Sequence, residues 1–216
     1  MKTKKIVSAI GISMMLLAGC SAESGDELEV YKALEKVADQ EKQFIKEQQP
    51  MTALEEKENV LYEEILSIGM KEKEKVDEKA SEALQLLDER EEHLVKEQES
   101  MQRSKEEFEK AKEKIELVKD EDIEKQANKL ASLMESRYKA YDLMYASYEE
   151  SVELDRELYT MFQKTNVKLN DLENQISSIN EMYQKVQENS EKFNQATDAY
   201  NEEKKNFYKK VKSDQE

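Results

Sequence analysis

The sequence has few of the residues that interrupt helices, cross-link chains or perform catalysis. Its 216 residues include one cysteine, one histidine, one proline, four glycines and no tryptophan. A single cysteine excludes a disulfide framework, and a single histidine excludes a site built on a pair of histidines. No nucleophile motif, phosphate-binding glycine loop or zinc-binding helix motif is present. We therefore expect no enzymatic activity, no metal and no other cofactor.

The N-terminus is a predicted secretory signal that ends at the sole cysteine. Three lysines lie within the first five residues, and an uncharged, mostly apolar run follows from Ile6 to Leu17. That run is about half as long as a transmembrane helix, so it predicts a cleaved leader rather than a membrane span. It ends on Leu17-Ala18-Gly19-Cys20, which resembles the lipobox of bacterial lipoproteins at every position.

The lipobox resemblance implies cleavage between Gly19 and Cys20 and attachment of diacylglycerol to the Cys20 sulfur. Residues 1–19 would then be the signal peptide, and residues 20–27 the lipidated cysteine with a short polar tether. Seven tether residues span roughly 25 Å at most. We therefore expect the folded body to lie close to the membrane, lipid-anchored on its extracytoplasmic face. The alternative is an ordinary signal peptide in which the cysteine occurs by chance.

The chain is strongly acidic, which limits its partners. It has 50 acidic and 34 basic residues, and three of the basic residues precede the predicted cleavage site. The mature chain would therefore carry a net charge of −19. Such a body is repelled by nucleic acid and by anionic lipid. This composition excludes a nucleic-acid partner and leaves the membrane to the N-terminal lipid.

The rest of the chain is predicted to be helical almost throughout. From Met70 to Glu216, 147 residues follow without a glycine or a proline. Apolar residues recur every seven positions, which is typical of the narrow packing face of a coiled coil. One series is Ala80, Leu87, Leu94, Met101, Phe108 and Ile115, and the other is Leu172, Ile179, Val186, Phe193, Tyr200 and Phe207.

Local signals predict four helices, at about residues 28–68, 70–119, 121–165 and 168–212. Ser24 with Glu27 predicts a capping box at the first start. Pro50 predicts a kink or an end near Gln49, and Thr52 with the following Glu55 predicts a second capping box after it.

The turns between these helices are predicted from glycine and from charge. Gly69 is expected to close the first helix in the left-handed conformation, and a lysine followed by three acidic residues at 119–122 matches two helix dipoles. Segments of similar size joined by short turns favour an elongated antiparallel up-and-down four-helix bundle with coiled-coil-like packing. In that order residues 68–71 and 165–170 lie at the end farther from the membrane.

Three groups of side chains could carry a function instead of packing. His93 is expected on a solvated helix side rather than as a general base. The many glutamates could chelate calcium, but their spacing follows the solvent faces of helices. Five tyrosines at helical spacing are expected in the core, with a sugar-stacking cleft as the alternative; they are Tyr138, Tyr141, Tyr145, Tyr148 and Tyr159.

The lipobox, the short acidic tether and the helical Glu/Lys/Gln-rich body together resemble the YkyA-like cell-wall-binding lipoproteins of Gram-positive bacteria. The resemblance implies a four-helix fold and a non-enzymatic role at the cell surface, with peptidoglycan or a cell-envelope protein as partner. Because the wall is rich in anionic polymer, charge alone would not hold this chain there. The alternative is a regulatory adaptor that binds a membrane-bound envelope enzyme or sensor through its helical surface.

Overall fold

The structure is a computed structural model that describes residues 25–69 and 72–213. These residues form five helices and no strand: α1 (Asp26–Gln40), α2 (Lys42–Ile68), α3 (Lys73–Ile115), α4 (Glu121–Phe162) and α5 (Leu169–Ser213). The fold is the predicted all-α, antiparallel, up-and-down four-helix bundle. The consecutive helices α1 and α2 take the place of the first predicted helix. None of the described helices combines the length and hydropathy needed to cross a membrane.

The described chain divides into two compact units, and each unit contains part of all four helical segments. Unit 1 comprises Lys46–Lys96 and Leu143–Asn189. Unit 2 comprises the residues from Gly25 to Ile45, Glu97–Asp142, and the chain from Ser190 onward. Helices α2, α3, α4 and α5 each contribute residues to both units.

In unit 1 the contacts between α3 and α4 show that these two neighbouring helices are antiparallel. Gln163, directly after the end of α4, donates to Ser81 near the start of α3 at 2.8 Å, and Arg156 of α4 binds Asp88 further along α3 at 2.8 Å. The core beneath these contacts is apolar and well buried. Its members are Leu61, Ile65, Val76, Ala80, Ala83, Leu87, Val152, Leu158, Tyr159, Phe162, Leu172 and Ile179.

In unit 2 aromatic rings form the centre of the core. Phe44, Tyr141 and Phe193 pack edge to face, with ring centroids 5.7–5.8 Å apart. Edge-to-face pairs add to the free energy gained from burying the rings. All twelve residues of the two predicted heptad series are buried, so the predicted packing positions of α3 and α5 are confirmed.

The turns follow the predicted chemistry, although the helix ends differ by a few residues. Gly69 has φ 67°, the expected left-handed conformation. The Asp120 carboxylate accepts from the N–H groups of Asp122 and Ile123 at 3.0 and 2.9 Å, which caps α4. Helix α3 ends at Ile115 rather than near residue 119, because the chain turns there and buries Val118.

The other predicted helix boundaries also differ slightly from those in the structure. Helix α3 begins at Lys73 rather than at residue 70, and residues 70 and 71 lie outside the described part. Helix α4 ends at Phe162 instead of 165, and α5 begins at Leu169 instead of 168. The break between the third and fourth predicted helices is therefore real and slightly longer than expected.

The first predicted helix is interrupted at Glu41 and not near Gln49. Pro50 lies inside α2, which continues from Lys42 to Ile68. Pro50 cannot bond the Lys46 carbonyl, but Lys46 is exposed and Pro50 half-exposed in unit 1, where water can take that bond. Pro50 therefore does not end the helix, and the kink at Pro50 stays a prediction.

The capping box predicted at Thr52 is not formed, and the one predicted at Ser24 stays a prediction. Ser24 lies outside the described residues, and α1 starts at Asp26 with Gly25 as its N-cap. The Gly25 carbonyl accepts from the N–H groups of Leu28 and Glu29. Thr52 is not a cap, because it lies within α2 and its hydroxyl donates to the Gln48 carbonyl at 3.1 Å.

The interruption at Glu41 is caused by a serine from another helix. The Ser100 hydroxyl donates to the Gln40 carbonyl at 2.5 Å and accepts from the Phe44 N–H at 3.0 Å. It therefore occupies the place of the helical hydrogen bond between residues 40 and 44. A side chain inserted into the helical ladder is a recognised cause of a helix break.

Candidate functional site

The predicted lipid site lies outside the described part of the chain. The four lipobox residues, 17–20, precede Gly25, where the description begins. Attachment of lipid to Cys20 therefore stays a prediction. The start of α1 lies beside the α3–α4 turn in unit 2, since the Asp26 carboxylate is 3.9 Å from the Lys119 ammonium.

His93 does not lie on a solvated helix side, so that prediction is wrong. Its side chain is only 24% exposed, and Nδ1 contacts a carboxylate oxygen of Glu47, which is 6% exposed. The sequence pattern could not show this contact, because Glu47 comes from α2, 46 residues earlier. Within the described ranges, no group of three or more His, Cys, Asp or Glu side chains could hold a metal ion.

The tyrosine series packs inward, as predicted. Tyr138, Tyr141 and Tyr159 are buried, whereas Tyr145 and Tyr148 are half-buried. The three buried rings are not accessible to a sugar and are part of the core, whereas Tyr145 lines a cleft at the surface. The Tyr148 hydroxyl donates to a carboxylate of α2 at 2.6 Å, which shows that these phenols are used inside the bundle.

Two arginines occupy core positions that the sequence-based expectations do not include. Arg90 follows Ala83 by seven residues, and Arg137 follows Leu130 by seven, so each continues an apolar heptad series. The two side chains are 0% and 2% exposed. The heptad spacing could have indicated both, because on α3 and on α4 the arginine occupies the position that an apolar residue occupies one heptad earlier.

The Arg137 cluster lies in unit 2 and is centred on one carboxylate. The two terminal nitrogens of Arg137 bind the two oxygens of Glu41 at 2.6 and 2.8 Å, a bidentate pair. The Arg137 Nε donates to the Thr197 hydroxyl at 3.0 Å. Ser104 donates to Glu41 at 2.8 Å and accepts from the Tyr138 hydroxyl at 2.7 Å. One positive and one negative charge are thus matched.

The Arg90 cluster lies in unit 1 and contains more negative groups than positive ones. Arg90 binds Glu58 through one terminal nitrogen, which is also 3.5 Å from Asp155. The other terminal nitrogen is 3.8 Å from Glu55 and donates to the Tyr148 hydroxyl at 2.9 Å. The side chains of Glu58 and Asp155 are each 6% exposed. One arginine therefore faces two buried carboxylates and a third that is partly exposed.

This imbalance changes the acidity of the cluster. Burial, together with the nearby charge of Glu58, raises the pKa of Asp155 to about 7. Burial also raises the pKa of Glu58, although Arg90 opposes the change. The Tyr183 hydroxyl donates to Asp155 from α5. Near neutral pH this cluster can therefore take up a proton.

Both arginines and their main carboxylate partners are buried among helices, while Glu55 at the side of the Arg90 cluster is partly exposed. Buried ion pairs of this kind contribute little net stability, because desolvation offsets their attraction. Removing one partner is costly, since it leaves an unpaired charge in the core. The clusters therefore connect the helices of each unit in one defined arrangement.

A cleft of about 180 Å³ lies on the surface of unit 1, between α3 and α4. The buried residues Leu94 and Val152 form its floor. Val95 and Tyr145 form its apolar sides, and three glutamates line its edge: Glu91, Glu149 and Glu153.

The fold and its buried polar clusters define an antiparallel helical-bundle protein. From residue 25 to residue 210 the chain matches the family described as "YkyA: Putative cell-wall binding lipoprotein". The chain belongs to this family. A relative from Bacillus subtilis (strain 168), described as the uncharacterised lipoprotein YkyA, is 35% identical over 202 residues, which are 94% of this chain and 90% of the relative.

A solved structure supports the fold. It is the crystal structure of a conserved protein of unknown function from Staphylococcus aureus, with a TM-score of 0.76. The likeness covers 88% of this chain and 97% of the other, at 18% sequence identity. At that identity the likeness shows the fold alone.

Proposed function

We propose that the protein is a membrane-anchored lipoprotein of the extracytoplasmic cell surface that performs no reaction and associates with the cell wall or with wall-associated proteins. The observation that carries the proposal is membership of the cell-wall binding lipoprotein family over residues 25–210. The lipobox at residues 17–20 supports the anchor, because it places a cysteine directly after a signal-type leader. The anchor would leave the helical body at the membrane surface.

The charge of the body determines which contacts are available to it. Unit 1 contains 24 acidic and 12 basic residues, whereas the described residues of unit 2 contain 23 acidic and 19 basic ones. A surface with that excess of carboxylates is repelled by anionic wall polymer. Association with the wall would therefore depend on hydrogen bonds to glycan, on bridging cations, or on a protein with a basic surface.

A second function is a regulatory adaptor that binds a membrane-bound envelope enzyme or sensor. The observation that favours it is the carboxylate-lined cleft of unit 1, which is chemically suited to a basic protein surface. Both functions share the anchor and the absence of catalysis. They differ in the partner, which an experiment can separate.

The anchor is tested by growing cells in labelled palmitate and isolating the protein. We expect label in the native chain and none in the Cys20→Ala chain, whose leader also stays uncleaved. An unlabelled, leader-bearing native chain would contradict the anchor.

The partner is tested with purified wall sacculi and the mature chain kept in detergent. Binding that survives removal of teichoic acid and of protein supports direct wall association. If sacculi capture nothing while crosslinking in intact cells yields a membrane protein, the adaptor function is favoured instead. Hydrolysis of wall fragments, abolished by replacing one acidic residue, would overturn the non-enzymatic assignment.

A further inference from the structure

The cleft of unit 1 combines an apolar interior with an anionic edge. Its floor is formed by Leu94 and Val152, which are 5% and 1% exposed. Val95 is 48% exposed at the side of the cleft, although it is a large apolar residue on a helix with many charged neighbours. A ligand with an apolar part would therefore cover Val95 and gain from removing it from water.

Two glutamates at the edge have no cationic partner among the described residues. Glu149 accepts a hydrogen bond from the Tyr145 hydroxyl, and Glu153 lies one turn further along α4. The next edge residue, Glu91, already binds a cation: the Arg156 guanidinium lies 3.0 Å from it. The contact with Arg156 therefore shows that a glutamate at the edge of the cleft can bind a cationic side chain.

The size of the cleft limits what it can hold. Sites for whole small-molecule ligands usually measure about 300–1,000 Å³, whereas this cleft measures about 180 Å³. One side chain fits this volume better than a whole cofactor does. A flexible aliphatic chain that ends in an ammonium group would place methylenes against Leu94 and Val95 and its charge between Glu149 and Glu153.

The charge of the whole unit indicates where that side chain comes from. Unit 1 has 24 acidic and 12 basic residues, so its field attracts a basic surface and repels an anionic polymer. We propose that the cleft between α3 and α4 binds a lysine side chain presented by the basic surface of an envelope protein. This inference deepens the proposed surface function and rests on it for the compartment in which the partner is found.

The cleft is tested by NMR on the mature chain in detergent, with labelled leucine and valine methyl groups. The probe is n-butylammonium, and its neutral control is n-butanol. We expect saturable shifts of the Leu94, Val95 and Val152 methyl signals with the ammonium, and none of that size with the alcohol. The same signals should respond to a short peptide with one lysine and lose the response when that lysine is acetylated.

Two variants test the anionic edge. Glu149→Gln and Glu153→Gln should each weaken ammonium binding by up to about fivefold, the usual range for an exposed ion pair. Glu181→Gln, an exposed glutamate of α5 in the same unit, is the matched control and should leave binding unchanged. Unchanged methyl signals elsewhere would show that each variant is folded.

A third titration separates the sources of the ammonium group. Protein-free wall fragments should leave the three methyl signals in place. Shifts with wall fragments but not with the lysine peptide would overturn the proposal in favour of a wall ligand. An absence of response to butylammonium would also overturn it, while palmitate labelling would still report separately on the anchor.

Discussion

The two buried arginines of this bundle have similar surroundings but different charge balance. In unit 2, Arg137 binds a single carboxylate, Glu41, with both of its terminal nitrogens. In unit 1, Arg90 contacts Glu58 and is 3.5 Å from Asp155. The first cluster is neutral as it stands, whereas the second has an excess of carboxylates that binding a proton reduces. The buried arginine of unit 2 is therefore matched by its carboxylate, whereas the buried arginine of unit 1 is outnumbered by the carboxylates around it.

Because Asp155 binds this proton in the folded chain, the stability of unit 1 should depend on pH in a defined direction. An unfolded aspartate has a pKa near 3.8, whereas burial and then the charge of Glu58 raise the pKa of Asp155 to about 7 in the folded chain. The folded state thus binds this proton more tightly than the unfolded state does. The resulting stabilisation is complete below about pH 4 and is lost as the pH rises through about 7.

The groups around Asp155 come from every helix packed against it. Helix α2 contributes Glu55 and Glu58, and α3 contributes Arg90. The phenols of α4 and α5 complete the surroundings, and they stay protonated because burial raises the pKa of each; they are Tyr148, Tyr159 and Tyr183.

The largest expected effect comes from removing each arginine. Arg90→Met and Arg137→Met should each lower the free energy of unfolding by about 3–5 kcal/mol, because each leaves a buried carboxylate unpaired. Urea unfolding followed by circular dichroism at pH 8 measures the loss.

Paired substitutions separate the two clusters. Arg137→Met combined with Glu41→Gln should recover most of the stability, since no charge is left in that cluster. Arg90→Met combined with Glu58→Gln should recover much less, because Asp155 remains. Equal recovery in both pairs would show that the clusters do not differ in charge balance.

A smaller effect is expected from the excess carboxylate itself. Between pH 6 and pH 8 the native chain should lose roughly 1–2 kcal/mol of unfolding free energy through Asp155, because the pH range spans its raised pKa. Asp155→Asn should remove this loss, because asparagine does not titrate. Unfolding curves at both pH values measure the change, and hydrogen exchange should locate it in unit 1.

The matched control for that experiment is Asp88→Asn. Asp88 is an exposed aspartate paired with Arg156 on the surface of the same unit, with 65% of its side chain exposed. It should leave the pH dependence unchanged. A native chain equally stable at both pH values would contradict the raised pKa of Asp155.

The smallest expected effect concerns unit 2 alone. Ser100→Ala should lower the free energy of unfolding by about 1 kcal/mol. The substitution removes the buried hydroxyl that donates to the Gln40 carbonyl and accepts from the Phe44 N–H. Hydrogen exchange at the Phe44 amide measures the change, and Ser136→Ala, on the exposed side of α4, is the control. Unchanged protection at Phe44 would show that Ser100 does not hold the break.

The sequence was most informative where structure depends on neighbours along the chain. The heptad series of α3 and α5, the left-handed Gly69 and the capping Asp120 all follow from spacing or from local backbone chemistry. It was less informative at Pro50, where the local signal allowed either a kink or an end, and the helix continues to Ile68. The packing of α2 in the bundle overrides the local preference of one proline.

The sequence was silent where structure depends on distant residues. Nothing between Gln40 and Phe44 breaks a helix locally, and the break depends on Ser100, 56 residues from Phe44. The local pattern predicts a solvated face for His93, because its partner, Glu47, lies on another helix and leaves no local signal. An isolated charged residue in a heptad looks the same in sequence whether its partner is water or a buried carboxylate.

Taken alone, the amino-acid sequence determined that this chain forms long helices in four segments, and it predicts a lipobox ahead of them. Helical period, glycine position and leader composition act over a few residues, so they can be read along the chain. Only the tertiary structure decided that Arg90 and Arg137 are buried, which carboxylates they meet, and where the first helix breaks. Those outcomes depend on contacts between helices far apart in sequence, whose free energies exist only after the helices have packed.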